Sequence, residues 1–361
     1  DQPRSRGLGD VYKRQAPTDR RQVSMVNTFN GWAALEPGAA LIPHQYDVGE
    51  LGADQVQLRV ESCGICHSDL SMIDNDWGNA QFPLVAGHEA IGVIEALGDR
   101  VRGGLQVGQR IGVGWFAGSC LSCQPCQSGR QQLCSHAEQT IVSRHGGFAD
   151  RLRCDWTWAI PLPDSLDAKS AGPLFCGGIT VFAPIYDSGI KATARVGVIG
   201  IGGLGHLALQ FLNKWGCHVT AFTSNPDKAA EAFGFGAHAV LDSRDPAAMS
   251  AAQGSFDFIL STVNVPMDWS SYLALLAPDG ILHVVGAVLQ PLEIPAFALI
   301  SGRKSVAGSP LGSPATVKLM LDFCARHSIA PQIERFALSD INEALAHLRA
   351  GKARYRLVLE P

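Results

Sequence analysis

The chain has no apolar run approaching the roughly 18 to 20 residues that a membrane-spanning helix needs. Its net charge is only −4 over 361 residues, so no excess of one sign points to nucleic acid or an anionic membrane as partner. Charged residues are scarce, at 17%, while hydrophobic ones reach 46%; a disordered chain would show the reverse balance. The default partner is therefore a small neutral or weakly charged molecule. No internal repeat or low-complexity segment is present. The leading stretch DQPRSRGLGDVYKRQAPTDRRQVS lacks the apolar centre of a secretory signal, and its aspartates argue against an organelle transit peptide. Because GLGDVYKRQ resembles translated adapter sequence, residues 1–24 are set apart as a non-native or disordered leader, with Met25 the expected natural start.

Cysteine is plentiful, with ten residues, but the spacings are those of metal sites and not of a small disulfide scaffold. A reducing, cytoplasmic compartment is the expectation. Glycine and proline are also frequent, and their distribution divides the chain near residue 175. Before it, short alternating segments such as QVQLRV (55–60), AIGVIEAL (90–97) and QRIGVG (109–114) sit between Gly/Pro clusters and read as strands of a mainly β domain. After it, RVGVIG (195–200) leads into GLGHLALQFLNKWG, where Leu204, Leu207, Ala208, Phe211 and Leu212 share one helical face. Strand and helix then alternate as far as ILHVVGA, which implies a doubly wound parallel sheet covered on both faces.

Beyond about residue 310 come the helical patterns SPATVKLMLDFCARH and LSDINEALAHLRAG and a terminal strand RYRLVLE. Ser339 to Asn342, with Glu343 following, reads as a capped helix start. The expected division is 25–174 for a catalytic domain, 175–309 for a dinucleotide-binding domain, and 310–361 returning to the first.

Gly200, Gly202 and Gly205 form G-x-G-x-x-G directly after a strand and open an amphipathic helix, the context in which this pattern binds a dinucleotide pyrophosphate. An acid some 20 residues later, at the end of the second strand, would bind a ribose 2′-hydroxyl. That acid is missing: the strand HVTAFT ends in Thr223 and Ser224, and Asp227 comes late. Thr223, Ser224 and Lys228 offer two hydroxyls and an ammonium, which suit a 2′-phosphate and favour NADP(H) over NAD(H).

Cys120, Cys123, Cys126 and Cys134 form a C-x2-C-x2-C-x7-C array, enough to close a four-thiolate structural zinc site. An iron–sulfur cluster and paired disulfides are the competing uses of such an array. A second set is dispersed over CGICHSD (63–69), GHE (87–89) and PLFCGG (173–178). A catalytic zinc takes about three protein ligands and keeps one position open. Spacing leaves the thiolates open among Cys63, Cys66 and Cys176, and the imidazole open between His67 and His88.

In their order along the chain, CGICHSD, AGHE, the four-cysteine lobe, PLFCGGIT and GIGGLGH resemble medium-chain zinc-dependent alcohol dehydrogenases, most of all the cinnamyl alcohol dehydrogenase-like branch. The resemblance runs from about Met25 to Pro361. It implies a GroES-like catalytic domain beside a Rossmann domain, and two zinc ions per chain. It makes Cys66, His88 and Cys176 the catalytic zinc ligands, with Glu89 an acid able to approach the metal and Asp69 the carboxylate that orients His88. His67 matches a pyrophosphate contact and Ser68 the hydroxyl that exchanges a proton with the substrate oxygen. Thr180, Gly203 and Leu204 join the expected cofactor contacts, while Cys63 has no ligand role.

Where many members carry a proton-relaying histidine, this chain has Ser71, which is no base near neutral pH. The implied activity is hydride transfer between NADP(H) and primary alcohols or aldehydes, with Trp77, Trp115, Phe116 and Leu311 expected to line a pocket for aromatic or medium-chain substrates. A homodimer joined through edge strands of the nucleotide domains is also implied. Two alternatives stand beside this reading: an NAD-dependent polyol or secondary-alcohol dehydrogenase, and a non-catalytic zinc and nucleotide-binding redox sensor using Cys63 and Cys66.

Overall fold

The computed structural model describes residues 27–225 and 227–361, so the leader expected at 1–24 and Met25 lie outside the described residues. Strand-forming segments segregate into two principal sheets. The first joins, in order, Ile333–Ala337, Arg356–Glu360, Gln55–Ile65, Ala90–Leu97, Arg110–Val113 and Ile160–Pro161, with Arg151–Asp155 paired to Gln55–Ile65. Its pairings are antiparallel apart from Ile333–Ala337 on Arg356–Glu360. This is the mainly β, GroES-like unit. One-sided burial explains the alternation of its sequence.

The second sheet is six-stranded and wholly parallel, in the order Ala239–Leu241, His218–Phe222, Arg195–Ile199, Phe256–Ser261, Leu276–Val284, Ser305–Gly308. Its inner strands read as near-continuous apolar runs because helices cover both faces. From Arg195–Ile199 the chain adds two strands on one side, then crosses to Phe256–Ser261 on the other. The glycine loop leaves the sheet at that switch point, where doubly wound sheets bind their ligands.

The helix after this loop, Gly205–Trp215, buries Leu207, Ala208, Phe211 and Leu212 completely, and Leu204 only in part. Phe211 meets Phe182 of the helix Gly177–Asp187 edge-on at 5.3 Å, and Phe323 of the helix Pro314–His327 lies 5.7 Å from Phe182. One aromatic cluster thus joins three helices, and through Ile91, Ile160 and Leu162 the same apolar core reaches the first sheet. Helix Pro314–His327 packs with the nucleotide-sheet helices, whereas Arg356–Glu360 pairs with Gln55–Ile65.

The capped start expected at Ser339 does not form. A 3-10 turn over Leu338–Asp340 precedes the helix Ile341–Arg349, which has no side-chain cap. Asn342 instead donates to the Leu41 carbonyl at 2.8 Å and accepts from its N–H at 2.9 Å, a long-range use that local spacing does not encode.

Phe211 is wholly buried at the centre of the three-helix contact. Phe211→Ala is expected to destabilise the protein by about 3–5 kcal/mol, the range for emptying a buried aromatic site. Chemical denaturation checks this; a loss under about 1 kcal/mol would mean the helices are held by something other than this cluster.

Candidate active site and structural metal centre

Three separate segments deliver the dispersed residues to one point. Cys66 caps the helix His67–Asp74 at the end of strand Gln55–Ile65, His88 and Glu89 precede strand Ala90–Leu97, and Cys176 opens the helix Gly177–Asp187. Ligand atoms of Cys66, His88, Glu89 and Cys176 all lie within 4.8 Å of one another, and all four residues are buried. His88 Nε2 is 3.2 Å from Cys176 Sγ, which is 3.9 Å from Cys66 Sγ. Two thiols, an imidazole and a carboxylate converging without solvent form a donor set that fits zinc. Cys63 is buried outside this cluster, and His67 is exposed at the first turn of its helix.

Asp69 sits behind the cluster with no solvent exposure. Its carboxylate accepts from His88 Nδ1 at 2.8 Å, Cys66 N at 2.9 Å and Gly87 N at 2.9 Å. The first of these leaves Nε2 of a neutral ring free to ligate, which is the usual arrangement behind a metal-bound histidine. Without a metal, burial disfavours a charged His88 ring, yet the charge and hydrogen bond of Asp69, helped by Cys66, outweigh it and raise the His88 pKa, so a zinc ion would take the place of the Nε2 proton. Ser68 Oγ lies 3.8 Å from Cys66 Sγ, at the rim of the cluster. Ser71 is one helical turn further and half-buried.

Glu89 is paired with Arg356, and both are buried. Burial pushes the Glu89 carboxyl up while Arg356 works against that, and among the described residues Glu89 Oε2 has no hydrogen-bond partner. Arg356 also reaches the glycine loop: a Cβ on Gly203 would meet its Cδ at 3.0 Å. Sequence reasoning missed this residue. The signal available was a cation opening the terminal strand RLVLE, directly before three apolar positions.

The glycine loop shows why its residues are glycines. A Cβ on Gly205 would come within 1.9 Å of the Gly200 carbonyl oxygen, so helix and turn approach too closely for any side chain. Gly202 is different: a Cβ there meets nothing within 4 Å. Packing does not demand glycine at 202, but close approach of a phosphate does, and the loop therefore fits a dinucleotide. Gly203 and Leu204 complete the turn into the helix, and Thr180 is half-buried on the helix that begins at Gly177. Beyond strand His218–Phe222, Thr223 Oγ1 accepts from Asn225 N at 3.1 Å and Ser224 is half-buried. Lys228 Nζ donates to the Ile201 carbonyl at 3.0 Å, which folds its side chain back over the loop.

Trp115, Phe116 and Leu311 line one narrow apolar cavity together with Trp158, Phe175 and Ile179. The Trp115 ring meets that of His88 edge-on at 5.0 Å, and Trp77 lies behind Trp115 at 5.8 Å. Trp158, 5.1 Å from Phe116, was not anticipated; WTW carries no pattern that separates a pocket tryptophan from a packed one.

Away from this centre, the four cysteines of the lobe form the second cluster, again with ligand atoms within 4.8 Å of one another. Cys134 Sγ is 3.5 Å and Cys126 Sγ 4.0 Å from Cys120 Sγ. Backbone N–H groups point at these sulfurs, from Cys123 to Cys120 and from His136 to Cys134, each at 3.4 Å. Hydrogen bonding from Ser122 draws the Cys120 thiol down to about 5, whereas burial pushes Cys126 up to about 12. All ten cysteines are free thiols, so no disulfide competes for these ligands.

Residues 52–164 match the family described as the alcohol dehydrogenase GroES-like domain, and residues 203–326 that described as zinc-binding dehydrogenase. The aldehyde reductase AdhA of Synechocystis sp. is 53% identical over 331 residues, covering 92% of this chain and 98% of that protein. A probable mannitol dehydrogenase of Fragaria ananassa is 38% identical over 92% of this chain and 94% of its own length. Among solved structures, a cinnamyl alcohol dehydrogenase from Sorghum bicolor superposes with a TM-score of 0.88 at 38% identity, over 92% of this chain and 97% of that one. The structure of CAD from Helicobacter pylori complexed with NADP(H) gives 0.86 at 29% identity, over 93% and 99%. With two zinc-ligand clusters, a dinucleotide loop and relatives matched over nearly their whole length, the chain belongs to the medium-chain zinc-dependent alcohol dehydrogenases, NAD(P)-linked oxidoreductases of alcohols and aldehydes.

Proposed function

We propose that this enzyme works within the cinnamyl alcohol dehydrogenase-like branch, as an NADP(H)-linked reductase of aromatic or medium-chain aldehydes that also runs in the alcohol-oxidising direction. The observation that carries the cofactor choice is Lys228 folded over the glycine loop, with no acid at the end of strand His218–Phe222. Burial and the neighbouring Arg354 press the Lys228 ammonium below its usual value, so cations gather where a 2′-phosphate would balance them. The Helicobacter pylori relative with NADP(H) supports the same choice.

Cys66, His88 and Cys176 would hold the catalytic zinc, and Cys120, Cys123, Cys126 and Cys134 the structural one. When bound, the catalytic ion supplies a Lewis acid for the carbonyl oxygen and the nicotinamide supplies the hydride. The chain's own residues aim and insulate that chemistry. Asp69 fixes the His88 ring and Glu89 stands beside the ligands, held by Arg356. Gly200, Gly202, Gly203, Leu204 and Gly205 receive the pyrophosphate with His67 and Thr180 alongside, and Thr223 and Ser224 join Lys228 at the ribose. Ser68 Oγ delivers a proton to the substrate oxygen. Ser71, one turn on, offers a hydroxyl where a base would be needed, so the proton that Ser68 gives up would have to be returned by water and not by this side chain. Trp115, Phe116 and Leu311 exclude water and receive the apolar part of the aldehyde, with Trp77 backing Trp115.

The same reading divides labour between residues 25–174 with 310–361, which supply the zinc sites apart from the ligand Cys176, and 175–309, which bind the cofactor and contribute that ligand at their start. It also makes the enzyme a cytoplasmic homodimer. Ten free thiols suit a reducing compartment, and no helix among the described residues is long and apolar enough to cross a membrane. Strand Ser305–Gly308 is an open sheet edge, and Phe297 and Ile300 near it are 76% and 71% exposed, an unpartnered apolar surface suited to a second copy.

Elemental analysis is expected to find two zinc ions per chain. Cys66→Ser should remove one and Cys123→Ser the other; loss of both from either single change, with the fold intact, would contradict the partition of ligands. Lys228→Ala should raise the KM for NADPH about three- to tenfold, the net gain of exchanging the Ile201 carbonyl for a phosphate, and leave that for NADH unchanged. Equal effects on both would remove the 2′-phosphate assignment. A panel of benzaldehydes, alkanals and polyols with both cofactors decides the substrate class, and preference for polyols with NAD would replace it by the alternative.

A further inference from the structure

His283 lies in strand Leu276–Val284 of the nucleotide sheet, where neighbouring positions are apolar, and it is only 4% exposed. A buried imidazole there needs a reason. Its Nε2 is 3.0 Å from Ser309 Oγ, a hydrogen bond in either tautomer, while among the described residues Nδ1 has no partner. Burial lowers the His283 pKa, so the ring is neutral near neutral pH. Nothing in the dinucleotide loop or the zinc clusters uses it.

Ser309 begins the connection between strand Ser305–Gly308 and helix Pro314–His327. The sheet ladder ends at Gly308, and Ser313 caps the helix through Thr316 N at 3.2 Å. Among the described residues, no backbone hydrogen bond holds 309–312, and the only side-chain one is that between His283 and Ser309. Within this stretch Leu311 has φ +23°, a conformation that side-chain-bearing residues rarely adopt and that surrounding contacts must sustain. Leu311 and Gly312 line the apolar cavity with Trp115, whose ring touches that of His88.

We infer that His283 is a positioning residue for substrate selection: through Ser309 it anchors the 309–312 connection and so holds Leu311 in the cavity wall beside Trp115. The inference rests on the reading of that cavity as the aldehyde pocket. His283 touches no reacting atom, so its contribution falls on binding of substrates large enough to reach the wall. A substrate as small as acetaldehyde, whose methyl group ends next to the reacting carbon, does not reach it.

The test measures KM and kcat with NADPH for benzaldehyde and acetaldehyde in the wild-type enzyme and in His283→Leu, Ser309→Ala, the double variant and His283→Gln. His283→Leu and Ser309→Ala are each expected to raise the benzaldehyde KM about five- to tenfold, the range one hydrogen bond spans. The acetaldehyde KM and both kcat values should stay within about twofold, and the double variant should be no worse than either single one, as for two ends of one interaction. His283→Gln, whose amide can reach Ser309, should recover most of the loss. Additive effects, an unchanged benzaldehyde KM, or equal rises for both aldehydes overturn the inference. If His283→Leu fails to fold, Ser309→Ala, at a half-exposed position, decides alone. A wild-type enzyme inert towards both aldehydes removes the functional reading and this inference with it, whereas an active wild type with an unmoved selectivity ratio removes only this inference.

Discussion

The catalytic cluster depends on one buried carboxylate. Asp69 gathers the N–H of Cys66, the N–H of Gly87 and the Nδ1 of His88, and so ties the first turn of a helix to the loop that precedes a strand. Each hydrogen bond to a charged group is worth roughly 1.5–3 kcal/mol, and an uncompensated buried charge costs more than any one of them returns. Asp69 is therefore stable only with all three partners in place. That condition fixes two zinc ligands relative to each other before any metal arrives, leaving Cys176 to approach from the third segment.

Arg356 extends the same logic to longer range. It bonds one carboxylate oxygen of Glu89 from a strand 267 residues further along the chain, and its stem lies against the glycine loop. Two buried charges of opposite sign thereby join the zinc cluster, the terminal strand and the cofactor loop. Burial alone would lower the Arg356 pKa, but Glu89 and the thiols of Cys66 and Cys176 hold the guanidinium firmly charged.

Much of this was legible in the sequence because it was local. The glycine loop needs three glycines between a strand and a helix, the lobe needs four cysteines within one short segment, and the alternation of strand and helix follows from burial on two faces. Motif resemblance brought Cys66, His88 and Cys176 together, as spacing alone did not. Three things stayed hidden. Asn342 bonds to Leu41 instead of capping its own helix, Trp158 faces the cavity instead of packing elsewhere, and Arg356 is buried despite its charge. Each is decided by a partner more than forty positions away, which no local pattern records.

The tether between Lys228 and the Ile201 carbonyl gives cofactor choice a particular thermodynamic form. Without a phosphate the ammonium already has a partner, so the gain on meeting one is the difference between two bonds and not the whole of one. No acid at the end of strand His218–Phe222 repels the phosphate or rewards its absence. Selectivity built in this way attracts one ligand without penalising the other. Such a site leans towards its preferred dinucleotide but stays open to the second, and a single acid introduced at position 223 or 224 would supply the missing penalty.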